Sequence, residues 1–477
     1  MTGLGLPERA TQTRVLALLR DELGYRTLGD WTDRADNSNI EEGLLTTWLT
    51  KTGCAPAAIS RAIHLLRTEA KNPNRSLYDN NKAVYGLLRY GVPVKIEAGK
   101  ATETVQLINW AQPAANDFAI AEEVTLRGWL GGHERRPDLV LYINGIAVGV
   151  IELKNSRTSI GDGIRQNLSN QQPAFSAWFF SANQFVFAGN DSEGLRYGTI
   201  GTPEKYFLKW KEDESDDTRL KLDKYLLKMC SKARLLELMY DYVLFDGGVK
   251  KLPRVHQYVG IKMAQARVAE RKGGVIWHTQ GSGKSIVMVM LAKWIPENRP
   301  HARVVVVTDR DELDKQIETV FREAGVEIKR TSSGQDLMRQ LSQATPRLLC
   351  SLVHKFGRKG VDDFDAFIRE LAAQPSRALI NTWAPRRGVT VERCFVQQMK
   401  TRWGSCNTRA GTIRLNTELA KKPRGCLEYI VAPEMMHLLE PTHNARFVSL
   451  MDRVMPDWPH RKGVLNRLPV RHERWGY

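Results

Sequence analysis

Asn144-Gly145 separates two apolar runs, LVLYI (139–143) and IAVGVIEL (146–153). A dipeptide that tolerates positive φ at both positions, flanked by β-branched and aromatic residues, closes a two-residue hairpin. The two runs therefore pair antiparallel, and the surrounding chain has to build a sheet around them. Chemistry lies at the open end of this hairpin. Asp138 follows Arg136-Pro137 just before the first run, and Glu152 and Lys154 close the second. Side chains alternate faces along a strand, so Glu152 and Lys154 point the same way. Two carboxylates and an ammonium gathered at one point can hold a hard divalent cation and activate a water beside it. Metal-dependent cleavage of a phosphodiester is the expected chemistry, with Asp138 and Glu152 on Mg2+ and Lys154 orienting or deprotonating the water. A strand end carrying solvated charges would use the same spacing.

The whole chain bounds this reading. Its 477 residues suggest two to four domains. A net charge of +17 points to a polyanionic partner, nucleic acid first and an anionic membrane surface second. Cys54, Cys230, Cys350, Cys394, Cys406 and Cys426 form no C-x-x-C pair, which suits free thiols in a reducing cytosol. No signal-peptide pattern and no run of the ~20 apolar residues needed to cross a bilayer is present. A soluble cytoplasmic protein without membrane contact is expected.

Apolar spacing predicts helices over 8–24, 41–70 and 77–90, the last stopped by Gly91 and Pro93. From Val92 to Phe187 short β runs dominate, followed within the same region by a helix at 161–171 that carries Gln166. Residues 206–250 are dense in both charge signs and read as a connector. A second α/β unit starts near Leu252, with strands at 275–279 and 304–308, helices at 285–294 and 311–323, and an apolar run at 348–353. That alternation signals a parallel sheet. Beyond residue 376 basic residues prevail, with 17 Lys and Arg against 8 Asp and Glu over 384–477.

Asp138, Glu152 and Lys154 match the pattern of the PD-(D/E)xK nucleases. Around them, NPNRSLYDNNKAVYGLLRYGVPV, LINW, NDFAIAEEVT, RRPDLVLYINGIAVGVIELKN and IRQNLSNQ resemble the N-terminal region of the type I restriction enzyme R subunit, over roughly residues 5–200. The resemblance implies that Asp138, Glu152 and Lys154 are catalytic and that Gln166 supports them from the following helix. It also implies double-stranded DNA as substrate, with separate specificity and methyltransferase subunits completing the complex. Asn109, before Trp110, departs from the acid expected in many relatives.

Residues 278–285 read HTQGSGKS. Backbone N–H groups of such a turn, at a helix N-terminus, cradle phosphates. Gly281, Ser282 and Gly283 would form the cradle, Lys284 would reach the β and γ phosphates of ATP, and Ser285 would hold Mg2+. His278 takes the place of the usual first glycine. Gln257 stands where superfamily 2 helicases place an adenine-reading glutamine. GGVIWHTQGSGKS and VVVVTDRDELDKQ again resemble the R subunit, in its first motor lobe. An ATP motor also needs an acid pair after a further apolar strand. None follows LLCSLVHKFGRKG, and Asp362, Asp363 and Asp365 read as helix-capping and solvated charges. The motor is therefore expected to stop inside its first lobe, binding ATP without hydrolysing it.

The blocks MKTRWGSC, GTIRLNTEL, LEYIVAPEMMHLLEPTH and MPDWPHRKGVLN resemble the YgjP-like (SprT/M48-related) zinc metallopeptidases. The H-E-x-x-H frame reads Pro433-Glu434-Met435-Met436-His437, so the first ligand is lost to proline. Glu434, His437 and His443 remain as a degenerate set, and zinc is not expected there. The expected organisation is α/β throughout: a PD-(D/E)xK nuclease domain over 1–205, a charged connector over 206–250, a truncated RecA-like P-loop lobe over 251–376, and a small α+β zincin-like fragment over 377–477. The expected function is that of a type I restriction endonuclease R-subunit-like protein. A non-catalytic DNA- or nucleotide-binding remnant and a zinc peptidase are the alternatives.

Overall fold

The computed structural model describes residues 8–467 except 97–100, 129–132, 213–217, 280, 309–310, 324, 353–375, 378, 382, 386–387, 398, 400–401 and 423. Two compact units divide the chain: Met1–Ala269 with Gly274–Pro300 and Thr319–Glu327, and the remainder from Glu270–Gly273, His301–Glu318 and Ile328–Tyr477.

The first unit opens with α1 (Glu8–Asp21), β1 (Arg26–Asp30), α2 (Glu42–Lys51), α3 (Pro56–Ala70) and α4 (Leu77–Tyr90). Ser76 caps α4 by accepting the Asp79 N–H, and Gly91, at φ 85°, ends it. Then come β2 (Val92–Val94), β3 (Glu103–Val105), β4 (Phe118–Glu122), β5 (Leu139–Ile143), β6 (Ile146–Leu153), α5 (Ile160–Asn170), β7 (Phe185–Asn190), β8 (Gly194–Gly198) and β9 (Leu208–Lys209). Among the described residues seven of these strands form one mixed sheet in the order β1-β4-β5-β6-β7-β8-β9. β1 runs parallel to β4 and β6 to β7, and the other neighbours are antiparallel. Every residue of β5, β6 and β7 is buried, which explains their continuous apolar texture. On one face Val140, Tyr142, Val150 and Val186 pack against Ile160 and Ile164 of α5 and against Phe179 and Phe180.

The hairpin turn is locked from outside the hairpin. Asn144 and Gly145 take φ of 53° and 85°. The Asn144 side chain accepts from the Asp117 N–H and donates to the Leu107 carbonyl and to Asn116 Oδ1, at 2.8–2.9 Å. Asn109 belongs to this network, exchanging backbone hydrogen bonds with the Asn116 amide.

Residues 206–250 do not behave as a connector. They supply α6 (Lys221–Cys230), α7 (Lys232–Asp241) and β10 (Leu244–Asp246), and the first unit includes them all. Leu222, Tyr225, Leu226 and Met229 of α6 and Leu235, Leu236, Leu238 and Met239 of α7 are buried. Charge density averaged along the chain hid two amphipathic helices whose apolar stripes return every third or fourth residue. β1 and β9 had no legible pattern, because these short edge strands carry mixed or polar residues.

β11 (Val249–Lys251), α8 (Val255–Ala269) and α9 (Lys284–Asn298) complete the described α-helices and strands lying wholly in this unit. The strand expected over 275–279 is absent: these residues belong to no strand, and Val275 and Trp277 are 86% and 90% exposed. A strand exists only through a neighbour's ladder, and none of the described residues offers one here.

The second unit holds a small parallel sheet, β12 (Val304–Thr308), β13 (Lys329–Arg330) and β14 (Leu348–Leu352), in the order β12-β14-β13. α10 (Asp311–Glu323) and α11 (Gly334–Leu341) alternate with these strands, as expected for parallel connections. Asp362, Asp363 and Asp365 lie outside the described residues. Further on, β15 (Arg393–Gln397), β16 (Gly404–Asn407) and β17 (Thr412–Asn416) form a second small sheet. α12 (Arg424–Met436), α13 (Ala445–Val454) and α14 (Trp458–Asn466) complete that part. Ile413, Leu415, Val431, Met435 and Met451 lie in its core. Among the described residues no helix is long and apolar enough to cross a membrane.

Candidate active site

The open end of the β5–β6 hairpin depends on one irregularity. Near the turn Ile143 faces Ile146 and Tyr142 faces Ala147, but beyond the shift Leu141 faces Gly149 and Leu139 faces Ile151. Val148 is the extra residue, a β-bulge in the middle of β6. Without it the turn register would run on to set Asp138 opposite Ile151 and send Glu152 to the other face. A one-residue slip inverts every side chain beyond it. With the bulge, the ladder leads Asp138 opposite Glu152 on the face that α5 covers.

Asp138 is 8% exposed and Glu152 fully buried. Asp138 Oδ2 accepts the Leu153 N–H at 2.6 Å. Its carbonyl accepts from Gln12 of α1 at 3.1 Å. Glu152 Oε1 accepts from Asn170 Nδ2 at 3.2 Å, while Oε2 has no hydrogen-bond partner. Lys154 Nζ lies 3.0 Å from Glu8 Oε1. A Cβ on Gly163 would stand 3.5 Å from Lys154 Cγ and 3.6 Å from Glu152 Cβ, so α5 rests directly on both side chains.

Burial is the main electrostatic force here. It pushes Asp138 up to about 6, against the opposing Leu153 N–H and Lys154 charge. Burial, together with the Asp138 charge, drives Glu152 well above the ordinary carboxylate range. Burial also works against the charge on Lys154, but the hydrogen bond to Glu8 and the charges of Asp138, Glu8 and Glu152 hold its pKa above the usual value. Two buried acids resisting ionisation beside each other, one with an orphaned oxygen, form a donor set that suits a hard divalent cation. A bound dication would supply the charge that favours both carboxylates. No group of three His, Cys, Asp or Glu side chains that could hold a metal occurs among the described residues. Asp138 and Glu152 would therefore share the ion with water and substrate oxygens, as Mg2+ sites commonly do.

All three residues read from the motif meet at this point. Glu8, Gln12 and Asn170 also touch them and carried no signal in the sequence, since α1 lies about 130 residues away from the hairpin. Gln166 is half-buried between Gly163 and Asn170 on α5, and it is Asn170 that bonds Glu152.

The glycine-rich loop has the backbone its composition suggests: Gly281 and Gly283 take φ of 76° and 82°, and α9 begins at Lys284. Lys284 Nζ donates to the His278 and Thr279 carbonyls at 3.2 Å, Ser282 is buried and Ser285 half-buried. Gln257 is 3% exposed, and both ends of its amide are used. Nε2 donates to the Ser282 carbonyl at 2.9 Å, and Oε1 accepts the Arg254 N–H at 2.8 Å. It braces the loop, and reading adenine with the same amide would require exchanging those bonds.

In the C-terminal part Pro433 sits inside α12, and His437 falls in the turn after it. His437 and His443 meet edge-on at 4.7 Å between centroids, and both pack on Phe447. Burial pushes Glu434 up to about 7. A Cβ on Gly404 would be 2.6 Å from Glu434 Oε1, so this carboxyl is packed against β16.

Comparison with known proteins bears on the first site directly. Residues 5–205 match the family model of the type I restriction enzyme R protein N terminus. Asp138, Glu152, Lys154, Glu8 and Asn170 all lie within that R-protein region. Residues 256–381 match the SWI2/SNF2 ATPase model, which takes in Gln257 and the Gly281–Ser285 loop. Neither model extends past residue 381. The Haemophilus influenzae type I restriction enzyme HindI endonuclease subunit is 27% identical over 416 residues, covering 81% of this chain and 36% of that one. The Methanocaldococcus jannaschii chain named MjaIXP endonuclease subunit is 25% identical over 363 residues, 68% of this chain and 34% of its own. A Staphylococcus aureus type I restriction enzyme endonuclease subunit, SauCOLORF180P, is 21% identical over 254 residues, 51% and 26% of the two chains. The chain thus spans about a third of the length of the first two relatives.

Proposed function

We propose that the first unit is a Mg2+-dependent DNA endonuclease of the PD-(D/E)xK type, acting as the R-subunit nuclease of a type I restriction system. The observation that carries this reading is the buried Asp138–Glu152 pair with its orphaned Glu152 oxygen, beside Lys154. Bound Mg2+ supplies Lewis-acid polarisation of the phosphate and lowers the pKa of an attacking water. Asp138 and Glu152 hold the ion. The Leu153 N–H and Asn170 fix the directions of their carboxylates, and Gln166 supports the site from α5. Lys154 orients the water or offsets phosphate charge, and α1 steadies it through Glu8. The net charge of +17 favours double-stranded DNA as substrate. A separate specificity subunit would choose the site, and methyltransferase subunits would complete the complex. The loop at Gly281–Ser285 binds ATP, with Lys284 on the phosphates and Ser285 on Mg2+, and no turnover is expected, because the sequence after LLCSLV reads as no apolar strand ending in an acid pair. The C-terminal residues are read as a zincin-like fragment with Glu434, His437 and His443 left from the metal frame and no peptidase activity.

The test is nicking of supercoiled DNA by the full chain with Mg2+ or Mn2+, which EDTA should stop. Absence of nicking while DNA is still bound in a salt-dependent manner would favour the non-catalytic alternative. The pH dependence has a defined sign. Each carboxyl has to lose its proton to take the metal, and Asp138 stands at about 6. The Mg2+ concentration for half-maximal nicking should therefore rise at least ~10-fold per pH unit below 6. Lys284→Ala should weaken binding of a fluorescent ATP analogue by ~10- to 100-fold, since a charged phosphate contact is lost. Phosphate release should be negligible in both proteins, and DNA-stimulated release by the unmutated chain would contradict the assignment.

A further inference from the structure

A cavity of about 460 Å³ opens in the first unit where the end of α3, the start of α4 and the C-terminal end of α5 meet. Its volume falls in the range of small-molecule sites. Lys71 and Arg75 are the charged residues lining it, and none of its described lining residues is acidic. Trp178 forms part of the wall. Its indole N–H donates to the Arg127 carbonyl at 3.1 Å, which fixes the ring, and Lys71 Nζ lies 5.5 Å from the ring centroid. Burial and the Arg67 charge lower the pKa of Lys71, so an anion beside it would favour its charged form again.

Two buried amides in the lining are each half satisfied. Asn80 is 8% exposed; its Nδ2 donates to the Asn72 carbonyl at 3.0 Å, and its Oδ1 has no partner. Gln171 is 7% exposed; its Oε1 accepts the Gly201 N–H at 2.8 Å, and its Nε2 has no partner. The bonds already made decide which end of each amide is oxygen. Asn80 therefore lacks a donor and Gln171 an acceptor, and a buried group left in that state costs ~1–3 kcal/mol. A nucleobase carries both on its edge, with a π face for Trp178 and a linked phosphate for Lys71 and Arg75. Gln171 directly follows Asn170, whose side chain bonds Glu152 at 3.2 Å, so one wall of the cavity adjoins the carboxylates.

We infer that this cavity holds one unpaired nucleotide of a DNA strand, with its base on Trp178, its base edge on Asn80 and Gln171, and its phosphate on Lys71 and Arg75. The inference rests on DNA as the substrate of the first unit, and it adds a place where one nucleotide leaves the stack. Taking a base out of a duplex costs a few kcal/mol, least where that base is already unpaired. The site therefore favours DNA with an unpaired nucleotide over a perfect duplex.

The experiment measures binding of the full chain, without Mg2+ so that nothing is cut, to a labelled duplex carrying one unpaired thymine. The same duplex fully paired, and the same duplex with an abasic residue at the unpaired position, are the comparisons. The thymine-bulged duplex should bind ~10-fold more tightly than either. Trp178→Ala should remove that preference and leave affinity for the paired duplex unchanged. Gln171→Glu keeps the acceptor for Gly201 and removes the free donor, so it should reduce the preference. With 5-iodouracil in place of the unpaired thymine, ultraviolet light should crosslink the DNA to Trp178 of the unmutated chain. Equal affinity for the three duplexes, or crosslinks confined to residues outside the cavity, would overturn the inference, while retained nicking would leave the nuclease reading standing. Displacement of the bulged duplex by micromolar thymidine monophosphate would overturn the DNA assignment in favour of a free nucleotide. Binding to none of the duplexes would overturn the DNA reading and this inference together.

Discussion

Glu152→Gln is expected to abolish Mg2+-dependent nicking and, in the same protein, to raise the stability of the metal-free fold at neutral pH. The loss should be at least ~100-fold, because a charged ligand disappears from a site with only two. The gain follows from the same burial. Glu152 has no exposed surface and one oxygen without a partner, so its ionised form is held at a cost that the amide does not incur. Asp138→Asn should act in the same two directions, and its size can be set. A carboxyl raised to about 6 in the folded chain binds more protons than its unfolded counterpart between pH ~4 and ~6. The metal-free protein therefore loses stability as pH rises through that window, by up to ~3 kcal/mol, and the whole penalty is present above it. At pH 7.5 Asp138→Asn should recover up to that amount in urea unfolding, and below pH ~4 nothing. Added Mg2+ should stabilise the unmutated chain and not Glu152→Gln. Variants less stable than the parent at pH 7.5 without metal would show that the acids serve the fold, and the metal-site assignment would fall with that result.

Gly145→Ala should be among the most destabilising single-methyl changes in the chain. The residue combines φ of +85° with a crowded surround. An added Cβ would lie 2.7 Å from Leu44 Cβ, 2.8 Å from the Glu41 carbonyl and 2.9 Å from the Leu45 N–H. Left-handed backbone costs ~1 kcal/mol for a non-glycine residue and forced repacking ~1–3 kcal/mol, so ~3 kcal/mol is expected. Gly53 provides the control, with φ of +83° and nothing within 4 Å of its would-be Cβ. Gly53→Ala should cost only the ~1 kcal/mol of backbone strain. Equal losses in the two variants, measured by urea unfolding of the full chain, would mean that the turn is not clamped by α2.

Much of the first unit was legible because its signals are local. Asn144-Gly145 defines its own turn, Gly91 stops a helix, and the β-branched runs mark strands that are buried on both faces. The 275–279 segment shows the limit of such reading. Its residues favour a strand, yet Val275 and Trp277 face solvent, because propensity cannot provide a neighbouring ladder. α6 and α7 were hidden for the opposite reason: their charges dominate any running average, while burial is decided by one stripe of each helix.

What the sequence determined alone is the hairpin, its closing turn, and the shared face of Glu152 and Lys154, all consequences of φ preferences and a two-residue repeat. Whether Asp138 shares that face depended on a bulge at Val148, which no composition rule announces and which decides the register of everything beyond it. Likewise only the tertiary structure could bring Glu8 to Lys154 and Asn170 to Glu152. Burial then separated these acids from the many solvated ones, because desolvation belongs to the packed fold and not to any residue by itself.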